Sequence, residues 1–135
     1  ADDSGLEVDC LDGAPGVLSA RFAGPAADDR ANNAKLVTLL AGVPSAHRTA
    51  RFRCVAVLAE PHRVLATAEG AIEGLIIDAP RGSGGFGYDP HFLIPSLGLT
   101  TAELDPAHKN RISHRAQALR TLLPALQCLL ASAVP

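Results

Sequence analysis

Two apolar runs, Phe52 to Leu58 and Val64 to Ala68, stand on either side of Glu60-Pro61-His62-Arg63. Each has the length and content of a strand, and the proline between them interrupts ladder pairing, so the segment reads as an antiparallel hairpin. Ala71 to Ile77 reads as a third strand that continues the meander before Pro80. Upstream, Leu6-Glu7-Val8-Asp9-Cys10 alternates apolar and acidic residues, the period of a half-buried strand. Asp12-Gly13 and Pro15-Gly16 then open a long loop through Gly24-Pro25. Asp28 or Asp29 can cap a helix to about Leu40, closed by Ala41-Gly42, with Leu36, Leu39 and Leu40 on one face. Downstream, Phe92 to Ile94 is a short extended run, and Asp105-Pro106 reads as an N-cap and first helical residue. Ile112, Ala116, Leu119, Leu122, Leu123, Leu126 and Leu130 then repeat at helical spacing. Pro124 falls inside that repeat and is expected to kink the helix or end its regular part. The order strand, helix, strands, helix predicts one domain of the α/β class over residues 1–135, a mixed β-sheet flanked by helices.

The chemistry of such a domain is bounded by its charge. The net charge is −2 and charged residues make up only 19% of the 135 residues, so nothing draws the chain generally to nucleic acid or to an anionic membrane. Any anionic ligand must be held by a local group of donors. With 4% aromatic residues and no Trp, the core is built from Ala, Leu, Val and Ile. Cys10, Cys54 and Cys128 are widely spaced and form no CxxC pair, which argues against a zinc site or a disulfide framework and for small core residues in a reducing cytoplasm. Ala1-Asp2-Asp3-Ser4-Gly5 is no signal peptide, and the apolar stretch from Ala118 to Val134 is broken by Arg120, Pro124 and Gln127. The chain starts without Met, directly in what looks like the end of a strand, which is read as a truncated or processed product.

Three places could carry chemistry. Gly82-Ser83-Gly84-Gly85-Phe86-Gly87 matches G-x-G-x-x-G, yet Asp89-Pro90 and an extended run follow it where a dinucleotide site needs a helix. The glycines alone leave a flexible turn and a ligand loop equally open. Phe86, Tyr88 and Asp89 favour the loop, since an aromatic face can stack on a base and a carboxylate can accept from a ring N–H. Asp2-Asp3-Ser4-Gly5 sets two carboxylates beside a strand, where alternation lets only one face a given cleft. Carboxylate oxygens there suit magnesium, and a solvated acidic turn is the competing reading. Lys109, Arg111, His114 and Arg115 cluster at the start of the last predicted helix, as an anion or acceptor site or as a solvated basic face. His47, His62, His91 and His108 have no metal-ligand spacing and are read as surface residues; Arg21, Arg48, Arg51 and Arg53 are assigned no chemistry.

Four stretches taken together resemble one family: Ala1-Asp2-Asp3-Ser4-Gly5-Leu6-Glu7-Val8-Asp9; Gly13-Ala14-Pro15-Gly16-Val17-Leu18-Ser19-Ala20-Arg21-Phe22-Ala23-Gly24; Gly84-Gly85-Phe86-Gly87-Tyr88-Asp89-Pro90; and Lys109-Asn110-Arg111-Ile112-Ser113-His114-Arg115. In order and spacing they are similar to the inosine triphosphate pyrophosphatases, over all but the last few residues. The resemblance implies a Mg²⁺-dependent hydrolysis of non-standard purine nucleoside triphosphates (ITP, dITP, XTP) to monophosphate and pyrophosphate. It implies Asp3 as general base and metal ligand, and Ser4 as a substrate contact. Phe86, Gly87, Tyr88 and Asp89 would form the base-reading loop with Phe86 stacked on the purine. Lys109 would be a substrate-binding cation, with His114 and Arg115 reading the base edge. A homodimer is implied as well.

Departures accompany the likeness. The family's opening strand and helix, with a Thr/Ser-x-Asn-x-x-Lys phosphate loop and a further acidic metal ligand, are absent, so the chain corresponds to the carboxy-terminal portion of such a domain. Leu18 and Phe22 stand where Tyr is common. The chain alone is therefore expected to be weakly active or inactive. Competing readings are a nucleotide-binding module without catalysis, a pyrophosphatase for modified pyrimidines, and a plain scaffold.

Overall fold

A computed structural model describes residues 1–132. Six strands form one sheet in the order β2-β1-β3-β4-β5-β6. They are β1 (Asp2–Val8), β2 (Pro15–Gly16), β3 (Thr49–Glu60), β4 (Arg63–Ile76), β5 (Phe92–Ile94) and β6 (Leu99–Thr100). Each neighbouring pair is antiparallel, so the sheet has no parallel pair among the described residues. Three α-helices complete the α/β domain: α1 (Asp29–Leu39), α2 (Pro106–Ile112) and α3 (His114–Ser132).

The hairpin expected from the sequence is the centre of the sheet, with Glu60 opposite Arg63 and a bulge at Leu58/Ala59. The separate third strand is not there: Ala71 to Ile76 simply continues β4. Glu69-Gly70 looks like a break but is strand, because α3 lies directly on Gly70. A Cβ on Gly70 would stand 2.1 Å from the His114 carbonyl oxygen. The first strand also begins earlier than its alternation suggested, since Asp2 to Gly5 pair with Ala56 to Arg53. Beyond Val8, Asp9–Leu11 is a 3-10 turn.

Alternation sorts the sheet into two unlike faces. Leu6, Val8, Ala50, Phe52 and Ile76 turn toward the helices and pack with Leu36 and Leu40 at the end of α1 and with Phe92 and Ile94. Cys54, Ala56 and Ala118 form a second buried cluster under α3. The opposite face is ionic. Arg51 bonds Asp9 at 2.9 Å and Glu73 at 2.9 Å, and Arg53 bonds Glu69 at 2.6 Å. These partly exposed pairs contribute little stability each, but they fix cross-strand register.

Several side chains sit elsewhere than the sequence suggested. Cys54 is core, whereas Cys10 and Cys128 are exposed. His91 is buried, its Nδ1 2.8 Å from the Ile77 carbonyl, while His47 and His62 are exposed. Arg48 is buried against Asp78 and the Val43 carbonyl. The last predicted helix is two helices. Asp105 caps α2 by accepting from the His108 N–H at 2.9 Å, and Ser113 breaks it with extended backbone before α3 starts. Lys109 and Arg111 therefore lie in the last turn of α2, where the helix dipole favours positive charge. α3 meets the sheet through small residues, so Leu119, Leu123, Leu126 and Leu130 are exposed rather than core. It runs through Pro124 unbroken. Pro124 and Arg120 are both exposed, so water can satisfy the Arg120 carbonyl that proline leaves without a donor. Among the described residues no helix is long and apolar enough to cross a membrane, and Val134 lies outside them.

Candidate active site

A cavity of about 290 Å³ opens between β1, the start of α1, the glycine-rich loop and the α2–α3 junction. Ser4, Phe86, Gly87, Tyr88, Asp89, Lys109, His114 and Arg115 all border it, although up to 111 residues separate them along the chain (115 − 4).

The glycine-rich loop is built around Asp89, not around its glycines. Asp89 is 4% exposed, and its carboxylate accepts from the Phe86 N–H at 2.9 Å, from the Thr101 hydroxyl at 2.8 Å and from the Lys109 ammonium. All those donors belong to the protein, so Asp89 holds the loop closed. Gly85 makes the closure possible: it has φ +69, and a Cβ there would stand 1.9 Å from Asp89 Oδ2. Tyr88 is locked in the same way, its hydroxyl donating to the Ser19 carbonyl at 2.6 Å. Burial, with the Asp29 charge nearby, pushes the phenol up to about 12. Ser19 in turn accepts from the Leu6 N–H and donates to the Gly16 carbonyl, fastening loop to strand.

What the loop presents is Phe86, 67% exposed, with the Lys109 ammonium 4.9 Å from its ring centre. Lys109 thus neutralises Asp89 and lies over an aromatic face; it is not a free cation. Across the cavity His114 stacks on Phe52, ring centres 5.2 Å apart and planes 20° apart. Desolvation first, then the Arg115 charge, lowers the His114 pKa to about 4, so the ring is neutral at pH 7. Arg115 donates through Nε to Asp2 Oδ2 at 2.7 Å, which leaves its terminal nitrogens available. Ser4 Oγ and His114 Nδ1 are buried without a hydrogen-bond partner among the described residues. Buried polar atoms are nearly always paired, so two such atoms beside one cavity mark a place for a polar ligand.

Asp3 stands apart. It lies on the other face of β1 from Ser4 and borders a neighbouring groove of about 330 Å³ with Glu7 and Arg53. Ser4 and Gly5 border both spaces, so the two meet across the β1 backbone. One Asp3 oxygen accepts from the Ser4 N–H at 2.9 Å, and the carboxylate is otherwise open to solvent. Among the described residues no three His, Cys, Asp or Glu side chains gather as a metal cluster. An exposed carboxylate still suits magnesium, which binds through one or two carboxylates, waters and substrate phosphates.

Asn33 and Thr101 shape the site unmarked in the sequence, whereas Asp2 is marked there only as one of two carboxylates, Ser19 only within a motif and Asp29 only as a possible cap. The available signal was Asn32-Asn33 in a helix interior, where asparagine is a poor helix former. Asn32 ties the preceding loop by accepting from the Ala23 N–H and donating to the Ala20 carbonyl; Asn33 reaches Gly87.

The low His114 pKa makes stability depend on pH. The unfolded imidazole titrates near 6.5 and the folded one near 4, so between those values the unfolded state binds the extra proton. Stability from this group is full above pH 6.5 and falls as pH drops toward 4. Urea unfolding at pH 7 and pH 5 should show a loss on acidification that His114→Phe largely removes. An equal loss in both proteins would refute it.

The chain is similar to known proteins over most of its length. The sequence profile of the Ham1 family matches residues 1–125. The dITP/XTP pyrophosphatase of Desulforamulus reducens is 60% identical over 129 residues, 96% of this chain and 64% of that protein. That of Thioalkalivibrio sulfidiphilus is 58% identical over 131 residues, 94% of this chain and 66% of that protein. The Staphylococcus aureus Ham1 protein superposes with a TM-score of 0.88 at 42% identity, covering 94% of this chain and 65% of that one. The nucleoside-triphosphatase / dITP/XTP pyrophosphatase of Mycobacterium abscessus gives 0.79 at 46%, covering 93% and 64%. The chain thus spans a little under two thirds of the relatives it matches. With the family profile matched over residues 1–125, relatives 60% and 58% identical along nearly its whole length and the same fold, the chain belongs to the Ham1 family.

Proposed function

We propose that this chain carries the base-reading and water-activating parts of a pyrophosphatase for inosine- and xanthosine-type nucleoside triphosphates. The observation that supports it best is the pairing, at one cavity, of an exposed Phe86 with a neutral His114 Nδ1 and the terminal nitrogens of Arg115, none of these nitrogens bonded among the described residues. Stacking on Phe86 is worth about 1–3 kcal/mol for any base. Selectivity then comes from the edge. Hypoxanthine and xanthine offer a 6-oxo acceptor to donors on His114 and Arg115, while adenine offers an amino donor and leaves them unmet. Such mismatches can discriminate by about 10⁴-fold or more. The names of the relatives, dITP/XTP pyrophosphatases, point the same way.

In this reading Asp3 acts as the general base, taking a proton from the water that attacks the α–β phosphoanhydride to give nucleoside monophosphate and pyrophosphate. Asp3 would also hold Mg²⁺, which when bound screens the phosphate charge. Ser4 joins the two spaces, its hydroxyl directed to the nucleotide and its neighbour Asp3 to the phosphates. A homodimer working in the cytoplasm completes the proposal.

The test is pyrophosphate release from inosine triphosphate and from ATP with magnesium, together with calorimetry of inosine monophosphate. Inosine is expected to be favoured in both. Turnover of the chain itself is expected to lie below that of an amino-terminally extended form. In the amino-terminally extended form Asp3→Asn should lower turnover about 10²–10⁴-fold while leaving inosine monophosphate binding nearly unchanged. Normal turnover in Asp3→Asn would remove the base from Asp3. A second reading rests on Asp3 standing outside any cluster of three metal-ligating side chains among the described residues: nucleotide binding without catalysis. Inosine-selective binding with no pyrophosphate from either form would select it.

A further inference from the structure

Gly87 is held in an unusual way. Its N–H donates to Asp29 Oδ2 at 2.7 Å, and its carbonyl accepts from Asn33 Nδ2 at 2.8 Å. Both partners belong to α1, four residues apart, and so lie one turn from each other on the same helix face. One peptide residue of the loop thus has both its backbone groups captured by a single rigid helix. Gly87 has φ +59, the conformation that lets its N–H and carbonyl be presented together, and no atom crowds the space a Cβ would fill. The tie spans 58 residues on the Asp29 side and 54 on the Asn33 side, so it serves no local turn. Asn33 accepts a penalty to make it, since its Oδ1 is buried without a partner among the described residues.

We infer that Asp29 and Asn33 are positioning residues that clamp the loop and thereby set the plane of Phe86. The inference rests on the reading of Phe86 as the base-stacking residue. Phe86 stands between two anchors: Asp89 grips its own N–H from inside the domain, and the α1 clamp grips the following residue from the side. A side chain exposed as widely as Phe86 has little to orient it beyond the Lys109 ammonium over its ring, so its order comes largely from the backbone. With one anchor the loop can pivot about Phe86; with two it cannot. A ring fixed before binding loses less freedom when a purine stacks on it. Asp29 touches no reacting atom in this account. It acts through the Gly87 peptide, and an amide oxygen at the same place can accept the same bond.

The clamp is tested by amide hydrogen exchange at Gly87 and by calorimetry with inosine monophosphate, on wild type, Asp29→Ala, Asp29→Asn, Asn33→Ala and Asp28→Ala. Asp28 is the N-cap of α1, accepting from the Ala31 N–H at 2.8 Å, and does not touch the loop. Asp29→Ala is expected to speed Gly87 exchange at least tenfold and to weaken inosine monophosphate about tenfold. Asn33→Ala should weaken binding in the same direction, and Asp29→Asn should restore it to within about threefold of wild type. Asp28→Ala should lower the melting temperature with Gly87 exchange and binding intact. Unchanged Gly87 exchange in Asp29→Ala overturns the clamp, as does an equal binding loss in Asp28→Ala. Should Asp29→Ala fail to fold, Asn33→Ala decides by the same readouts. If wild type binds no inosine nucleotide, the function proposed above falls, while the exchange data still judge the clamp.

Discussion

Asp89→Ala should cost about 3–5 kcal/mol of folding stability and abolish inosine monophosphate binding, although Asp89 bonds no ligand in the mechanism above. The size follows from what is left behind. The Asp89 side chain is 6% exposed and the Lys109 side chain paired with it 20%, so the lost partner strands an ammonium group in a largely dry place. The Phe86 N–H loses its acceptor in the same stroke, and the Thr101 hydroxyl keeps only the residue 89 carbonyl, at 3.2 Å. Asp89→Asn keeps the shape and an acceptor oxygen but not the charge, and should fall between alanine and wild type. Removing both charges together, in Asp89→Asn with Lys109→Met, should be less harmful than the two single changes summed, since neither leaves the other buried alone. Urea unfolding at pH 7 measures each. A loss under about 1 kcal/mol in Asp89→Ala would mean that water reaches Lys109, and that the loop is held chiefly by α1.

That a Gly-rich loop is organised by an aspartate shows where sequence reading succeeds and where it stops. Residues that act through neighbours in the chain were legible. The hairpin, the Asp28 cap of α1 and the Asp105-Pro106 start of α2 each rest on contacts within a few positions. The four contiguous motifs were legible too, and all but Asp3 of the residues drawn from them border one cavity. What escaped depends on partners far along the chain. That Asp89 organises the loop cannot be seen until Thr101 and Lys109 are found bonded to it. Asp29 and Asn33 carry no mark without Gly87. Ser113 ends α2 with neither glycine nor proline to announce it, so the basic cluster looked like one helix start and is really a helix end followed by another start. Likewise, exposed leucines on α3 follow from a helix seated by its smallest residues, which periodicity cannot distinguish from one seated by its largest.

Gly70→Ala carries that last point to the site. A single methyl at position 70 would lie 2.1 Å from the His114 oxygen, 2.6 Å from the Ala118 nitrogen and 2.8 Å from the Gln117 Cβ. Two of those three atoms are helix backbone, so no rotamer change relieves the contact and α3 must lift as a body. Overpacking of this kind costs about 3 kcal/mol. Lifting α3 also carries His114 and Arg115 away from Phe52 and Asp2, because both residues are in its first turn. Gly70→Ala should therefore lower stability and weaken inosine monophosphate together. Gly42→Ala provides the contrast: φ is +81 there and nothing lies within 4 Å, so the cost is backbone strain of about 1–2 kcal/mol with binding untouched. The pair separates two uses of glycine, one for a backbone turn and one for the approach of a helix. Unfolding curves and calorimetry on both variants read the difference directly. If Gly70→Ala bound inosine monophosphate as wild type does, the seat of α3 would not control the placement of His114, and the edge-reading role would have to be independent of how closely that helix meets the sheet.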